Sequence, residues 1–266
     1  MKTLQEIISD CGDVCKLLQS LDKSELCDLY KHANGLDEEE TAKWLCENFE
    51  LYKLSLERNA VARVDYKDQK LPRDGSKTGE TITNQIEKNL AKAIFRLWKE
   101  IPHRAFGKVI HYEVPLEPSL NDVRKDRKRA PENMPLEKLK RDKNQRVYPR
   151  GRIDLLSVKR NAVYVLELKK KDSVETYLRC LLEAYTYVKT IKRPNEFFAQ
   201  FGEKAKRRLS RFIVCPLVFE SENPKSPYQR YLNRGVWVKR LELMIASDPD
   251  IGGLSFYAFK PGEVDA

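Results

Sequence analysis

Asp154, Glu167 and Lys169 are the residues whose types and spacing could do chemistry. They lie in the stretch GRIDLLSVKRNAVYVLELKKK, residues 151–171. Two apolar runs flank Arg160-Asn161, and the pattern predicts strands near 151–158 and 162–169 joined as a hairpin. With Arg160 and Asn161 as a two-residue turn, Asp154 lies directly opposite Glu167. Directly paired residues point to the same face, with Cβ atoms about 4.5–5.5 Å apart. Like charges so placed repel, and neither Asp nor Glu favours a strand. A divalent cation would offset that cost: Mg²⁺ takes one or two carboxylates, keeps several waters and leaves positions for phosphate oxygens. Mn²⁺ could substitute for it. Lys169, two residues beyond Glu167, shares its face. There the ammonium could orient an attacking water or stabilise charge on phosphoryl oxygens, and the Leu168 carbonyl would add a hard oxygen ligand. These parts suit metal-assisted attack of water on a phosphodiester. A plain charged sheet face fits the same residues, because Arg152 and Lys169 could bridge the two carboxylates diagonally.

The elements that must position this hairpin can be read outward from it. Upstream, TITNQIEKNLAKAIFRLWKEI places Ile86, Leu90, Ile94 and Leu97 at helical spacing, and KVIHYEVPL, residues 108–116, reads as a strand. Downstream come a helix near 173–191, a second helix in PNEFFAQFGEKAKRRL and the strand RFIVCPLVF, residues 211–219. A short helix from Ser226, a helix near 237–247 and a last strand in GLSFYAFK complete the chain. Three consecutive strands can form a meander, and the later strand must join by a helical crossover. The expected class is therefore α/β, a mixed central sheet flanked by helices.

Ahead of this part, Leu4, Ile7, Ile8, Cys11, Cys15, Leu18 and Leu21 form the stripe of an amphipathic helix over 3–21. A short helix is expected from Ser24. A third starts at Asp37, an N-cap followed by Glu38, Glu39 and Glu40, and buries Trp44, Leu45, Phe49 and Tyr52. Residues 1–58 thus read as a small acidic helical accessory module, 59–79 as a linker and 80–266 as the main domain, with a basic insertion over 117–150.

Charge divides the chain in the same way. Residues 1–57 hold 6 Lys+Arg and 13 Asp+Glu, whereas the whole chain carries a net +10, so the remainder is strongly basic. A basic domain suits a polyanion. Residues 121–150 alone carry 11 Lys+Arg against 5 Asp+Glu and several prolines, a loop suited to phosphate contact. Arg124, Lys125, Arg127, Lys128 and Arg129 are its densest cluster. Arg152 follows on the first hairpin strand, and Arg207 and Arg208 belong to a second cluster, which a helix C-terminus would also favour. The six cysteines show no CxxC pair and read as reduced core residues rather than disulfides; zinc held by Cys11, Cys15, Cys27 and Cys46 matches no standard spacing. There is neither an apolar run of membrane-spanning length nor a signal-peptide pattern, and the expectation is a cytoplasmic protein without a membrane partner. A P-loop and a Rossmann glycine pattern are also missing.

RID followed by twelve residues and ELK, after an upstream helix and strand, resembles the PD-(D/E)XK nuclease superfamily. The resemblance covers about residues 80–220. It implies a restriction-endonuclease-like αβββαβ core in which Asp154 and Glu167 bind catalytic Mg²⁺ and Lys169 is the catalytic lysine. Many members carry a further acid on the first core helix, where Glu87 falls. Two positions depart from the pattern. Ile153 stands where the name-giving proline would be. Where several branches have Gln-x-x-x-Tyr on the following helix, this chain has Leu181 and Tyr185. The resemblance implies a DNA-cleaving hydrolase of restriction, repair or defence. The alternatives are a nucleic-acid-binding protein that keeps the fold without hydrolysis and a protein-interaction scaffold. The acidic module suits a protein partner or a second copy of the chain.

Overall fold

The computed structural model describes residues 26–58, 86–116, 151–171, 173–191 and 211–264. The expected helix over 3–21, the linker, the basic insertion with Arg124, Lys125, Arg127, Lys128 and Arg129, and the helix carrying Arg207 and Arg208 lie outside the described residues, as do Cys11 and Cys15. Two 3₁₀ turns, Leu26–Lys31 and Ala33–Gly35, lead into helices α1 (Glu38–Glu47) and α2 (Phe49–Arg58). Helix α3 (Ile86–Trp98), strands β1 (Lys108–Leu116), β2 (Gly151–Lys159) and β3 (Ala162–Leu168), helix α4 (Tyr177–Thr190) and strand β4 (Arg211–Phe219) follow. The chain continues through α5 (Pro227–Leu232), α6 (Val236–Ala246), β5 (Gly253–Leu254) and β6 (Tyr257–Phe259). Among the described residues no helix is long and apolar enough to cross a membrane, and no disulfide forms: Cys27, Cys180 and Cys215 are buried thiols and Cys46 is half-buried.

The protein is α/β, with one open mixed sheet flanked by helices. Strands β1, β2 and β3 form an antiparallel meander, and β4 runs parallel to β3 after the α4 crossover. Both β5 and β6 pair with the outer edge of β4. The sequence pattern predicts one last strand here, and Pro216 explains the interruption. On that edge Phe212 and Val214 accept hydrogen bonds from Gly252 and Ser255. Two residues on, Pro216 has no N–H to donate, and pairing resumes only at Leu217 opposite Tyr257.

The sheet is covered on both faces. On one side Val163, Val165, Phe212 and Val214 pack with α1, α2, α4 and α6; on the other Leu166, Leu168, Cys215 and Leu217 pack with α3, Phe106 and Phe259. Helix α3 buries Leu90, Ala91 and Ile94, whereas Leu97, expected on the same stripe, is about half exposed. In a regular strand, residues two apart share a face. Tyr112 and Val114 of β1 instead serve opposite cores, as do Ile153 and Leu155 of β2. The change of face falls at Glu113 and Asp154, which lie opposite each other between the pairs Tyr112–Leu155 and Val114–Ile153. Glu113 takes a left-handed backbone with φ of 51°, a conformation unfavourable for a residue with a Cβ.

Residues 26–58 share a continuous core with α4 and α6. Asp37 caps α1 as expected, its side chain accepting from the Glu40 N–H at 2.9 Å. Trp44, Leu45, Phe49 and Tyr52 are all buried, but across two helices separated at Asn48. Glu38 accepts from the backbone N–H of Leu178 at the start of α4 and from Arg230. Glu39 accepts from the N–H groups of Trp237 and Val238 at the start of α6. Each carboxylate satisfies donors that a helix start leaves open and sits at the positive end of its dipole.

Gly235 makes the second cap possible, since a Cβ there would overlap the Glu39 carboxylate. Gly235→Ala should therefore push Glu39 off α6 and lower stability by about 1 kcal/mol, the usual worth of a cap. Urea unfolding of Gly235→Ala, Glu39→Ala and the double variant checks this. With Glu39 already removed, the alanine at 235 should cost only a few tenths of a kcal/mol.

Candidate functional site

The hairpin turn at Arg160-Asn161 sets the register that the sequence predicts. Lys159 pairs with Ala162 and Leu155 with Leu166, and Arg160 adopts φ of 56° to make the turn. One step further along this register, Asp154 stands across from Glu167. Regular pairing ends there, and the Asp154 carboxylate takes the place of a backbone acceptor: Oδ2 accepts from the Leu168 N–H at 2.8 Å. The Leu168 carbonyl shares that strand edge with its N–H.

Glu167 and Lys169 project to the α4 face. Lys169 Nζ donates to Glu167 Oε1 at 2.8 Å and to Glu183 Oε2 at 3.2 Å, and lies 2.9 Å from Glu175 Oε2. The Tyr187 hydroxyl donates to Glu183 Oε1 at 2.7 Å. Arg179 completes the group, 3.3 Å from Glu175 and 3.9 Å from Glu183. Tyr187 is pressed against the start of β2, where a Cβ at Gly151 would meet its hydroxyl at 2.5 Å. Glu87, in the first turn of α3, reaches the end of β3, with Oε1 3.4 Å from the Lys170 N–H.

Of the expected site residues, Asp154, Glu167, Leu168 and Lys169 are brought together, and Glu87 borders them. Arg152 is about half exposed and pairs with Glu113 at 3.2 Å, so it does not bridge Asp154 and Glu167. Lys169 does engage Glu167, as the charged-face reading of the sequence has it, but within a buried cluster. Sequence reading missed Glu175, Arg179, Glu183 and Tyr187. The signal was their spacing: each lies four residues after the last, the polar stripe of a helix. The expected comparison at Leu181 and Tyr185 falls on residues turned elsewhere; both are buried in the α1/α2/α6 core, and the Tyr185 hydroxyl donates to Asp248. The i, i+4 pair that enters the site is Glu183 and Tyr187, two positions further on.

Electrostatics mark the site as short of positive charge. Burial pushes the Asp154 carboxyl up to about 8; Lys169 and the Leu168 N–H oppose the shift, and Glu113 and Glu183 add to it. Glu167 rises well above the usual carboxylate range through burial and then through the charges of Asp154 and Glu183. Burial alone would lower Lys169, but Glu167, Glu183 and Glu175 hold it well above the ordinary lysine value. Burial works against Glu183 as well, yet Lys169 first, then the Tyr187 hydroxyl, the neighbouring Glu167 carboxyl and Arg179, keep it below its ordinary value.

Two carboxylates beside one another in a partly buried site can hold a metal, share a proton or neutralise a cation. The donor set fits a hard divalent ion. Glu167 is 3% exposed, and its Oε2 has no hydrogen-bond partner among the described residues. Asp154, Glu167, Glu175 and Glu183 outnumber Lys169 and Arg179 by two charges, which protons or a divalent cation must supply. No set of three His, Cys, Asp or Glu side chains among the described residues is arranged to hold a metal ion. Two carboxylates and a carbonyl are nevertheless a normal protein share for Mg²⁺, which keeps much of its water. In comparisons with known proteins, the chain matches no protein-family model, no curated protein and no solved structure.

Proposed function

We propose that this protein is a Mg²⁺-dependent nuclease that hydrolyses DNA phosphodiester bonds from a restriction-endonuclease-like core. The observation that carries this reading is the juxtaposition of Asp154, Glu167 and Lys169, with Glu167 Oε2 buried and unpartnered. The element order around it, helix, three antiparallel strands, helix and parallel strand, is the order that the resemblance implies. Asp154, Glu167 and the Leu168 carbonyl would hold the metal, with Glu87 at its border. Mg²⁺ held there would supply an activated water and offset charge on the phosphoryl oxygens. Lys169, kept protonated by its carboxylates, supplies an ammonium to the attacked phosphate. Asp154 and Glu167 would hold the metal as carboxylates, so its uptake would compete with protons at Asp154. DNA is the substrate that the resemblance favours, and the basic 121–150 segment supplies charge for its backbone.

Incubating supercoiled plasmid and single-stranded DNA with the protein in Mg²⁺, Mn²⁺ or EDTA tests the reading. Cutting that needs the metal and disappears in EDTA is expected. Salt-sensitive DNA binding without cutting in either metal would overturn hydrolysis and put the non-catalytic binding protein in its place. Absence of both binding and cutting would favour the interaction scaffold.

A further inference from the structure

Lys169 presents a difficulty for any metal at Asp154 and Glu167, and this inference rests on that metal site. The ammonium already occupies one oxygen of Glu167, at 2.8 Å. A cation arriving at Glu167 meets a resident positive charge, and the two repel strongly where solvent screening is weak. Lys169 must either stay and weaken the metal or be received elsewhere.

We infer that Glu183, oriented by Tyr187, is a positioning residue that takes over the Lys169 ammonium when a divalent cation occupies Glu167. Glu183 Oε2 already lies 3.2 Å from Lys169 Nζ, so the handover needs only a small displacement within the present cluster. The receiving group is fixed. Its other oxygen accepts from the Tyr187 hydroxyl at 2.7 Å, and Tyr187 is 2% exposed and braced by Gly151. Glu175 is nearer to Lys169, at 2.9 Å, but its side chain is 24% exposed against 11% for Glu183 and is engaged more closely by Arg179, so it is the less confined partner. With a neutral amide at 183, Lys169 keeps its strongest counter-charge on Glu167 and competes with the metal.

A double-mutant cycle separates this from a general loss of negative charge. Mn²⁺ is titrated into the full chain without nucleic acid, and bound metal is read by electron paramagnetic resonance or calorimetry. Glu183→Gln should weaken Mn²⁺ about tenfold when Lys169 is present. In a Lys169→Met background, with nothing to hand over, the same change should cost about twofold or less. An equal loss in both backgrounds would reduce Glu183 to a remote charge and overturn the inference, as would no loss in either or no Mn²⁺ uptake by the wild type. Circular dichroism of each variant in EDTA verifies folding. If Glu183→Gln does not fold, Tyr187→Phe leaves the charge in place but removes its orientation, and the same cycle should show a loss of about threefold confined to the Lys169 background. Cleavage by the same wild-type preparation reports separately on the nuclease reading: Mn²⁺ uptake and a coupled cycle without cutting would keep the handover and discard hydrolysis.

Discussion

Asp154→Asn should lower metal-dependent DNA cleavage by about a thousandfold or more, and Lys169→Met by about 100- to 1,000-fold, for different reasons. Asparagine keeps an oxygen that can accept from the Leu168 N–H but removes the charge that attracts the metal. Part of the Asp154→Asn loss should therefore return at high Mn²⁺, as an increase in the metal concentration needed. Lys169→Met keeps the buried stem and both carboxylates. It should bind metal at least as well as wild type and remain slow at saturating metal, because the missing ammonium acts on the reacting phosphate. Glu87→Gln, at the border of the site, should cost about tenfold, the scale of an outer-shell partner. Plasmid cleavage over a range of Mn²⁺ distinguishes these three patterns. Equal cutting by wild type and both site variants would place the activity outside this site.

The same Asp154→Asn change should make the metal-free protein more stable. Asp154 titrates near 8 in the folded chain against an ordinary 3.8, so the folded state holds a proton that the unfolded state has released. Between those values the folded state binds more protons, and stability falls as pH rises. The contribution is complete below about pH 4 and lost on passing pH 8; Glu167, raised in the same direction, deepens the fall. Asparagine has no such penalty. At pH 7–8 in EDTA the variant should exceed wild type by on the order of 3 kcal/mol, roughly 6–10 °C in melting temperature. The gap should close toward pH 4. Mn²⁺ at a concentration that saturates the wild type but not the variant should raise the wild type toward the variant and leave the variant nearly unmoved. Thermal melts from pH 4 to 9 with and without metal measure all of this, and a variant less stable than wild type at pH 8 in EDTA would mean that Asp154 is a structural ion rather than a strained one.

The hairpin was legible because its turn is short. With two residues between the strands, pairing Lys159 with Ala162 fixes every later pair, so the meeting of Asp154 and Glu167 follows from counting. Lys169 follows from strand alternation. What could not be counted is what comes from other elements. Glu183 and Tyr187 reach the site because the α4 crossover lies on the Lys169 face, and sequence spacing does not specify which turn of the helix arrives there. Leu97 is the reverse case, an apolar residue at the right period that the sheet does not cover. The run of glutamates after Asp37 reads as an N-terminal charge pattern, and Glu40 N–H does meet its cap. That Glu38 and Glu39 instead cap α4 and α6 depends on contacts across the fold. The face change at Glu113, like the shift of register between Val109 and His111, gave no sign in the sequence of β1.

Those two caps have a bearing on how the chain is made. The partners of Glu38 and Glu39 lie 140 to 199 residues further along. At about 5–20 residues per second of synthesis, α1 emerges roughly ten to forty seconds before the helices that it must seal. Through that interval Trp44, Leu45 and Tyr52 have no α4 or α6 to cover them. The segment carrying α1 and α2 is thus open to chaperones and to aggregation through that interval, and its docking waits for the synthesis of α6.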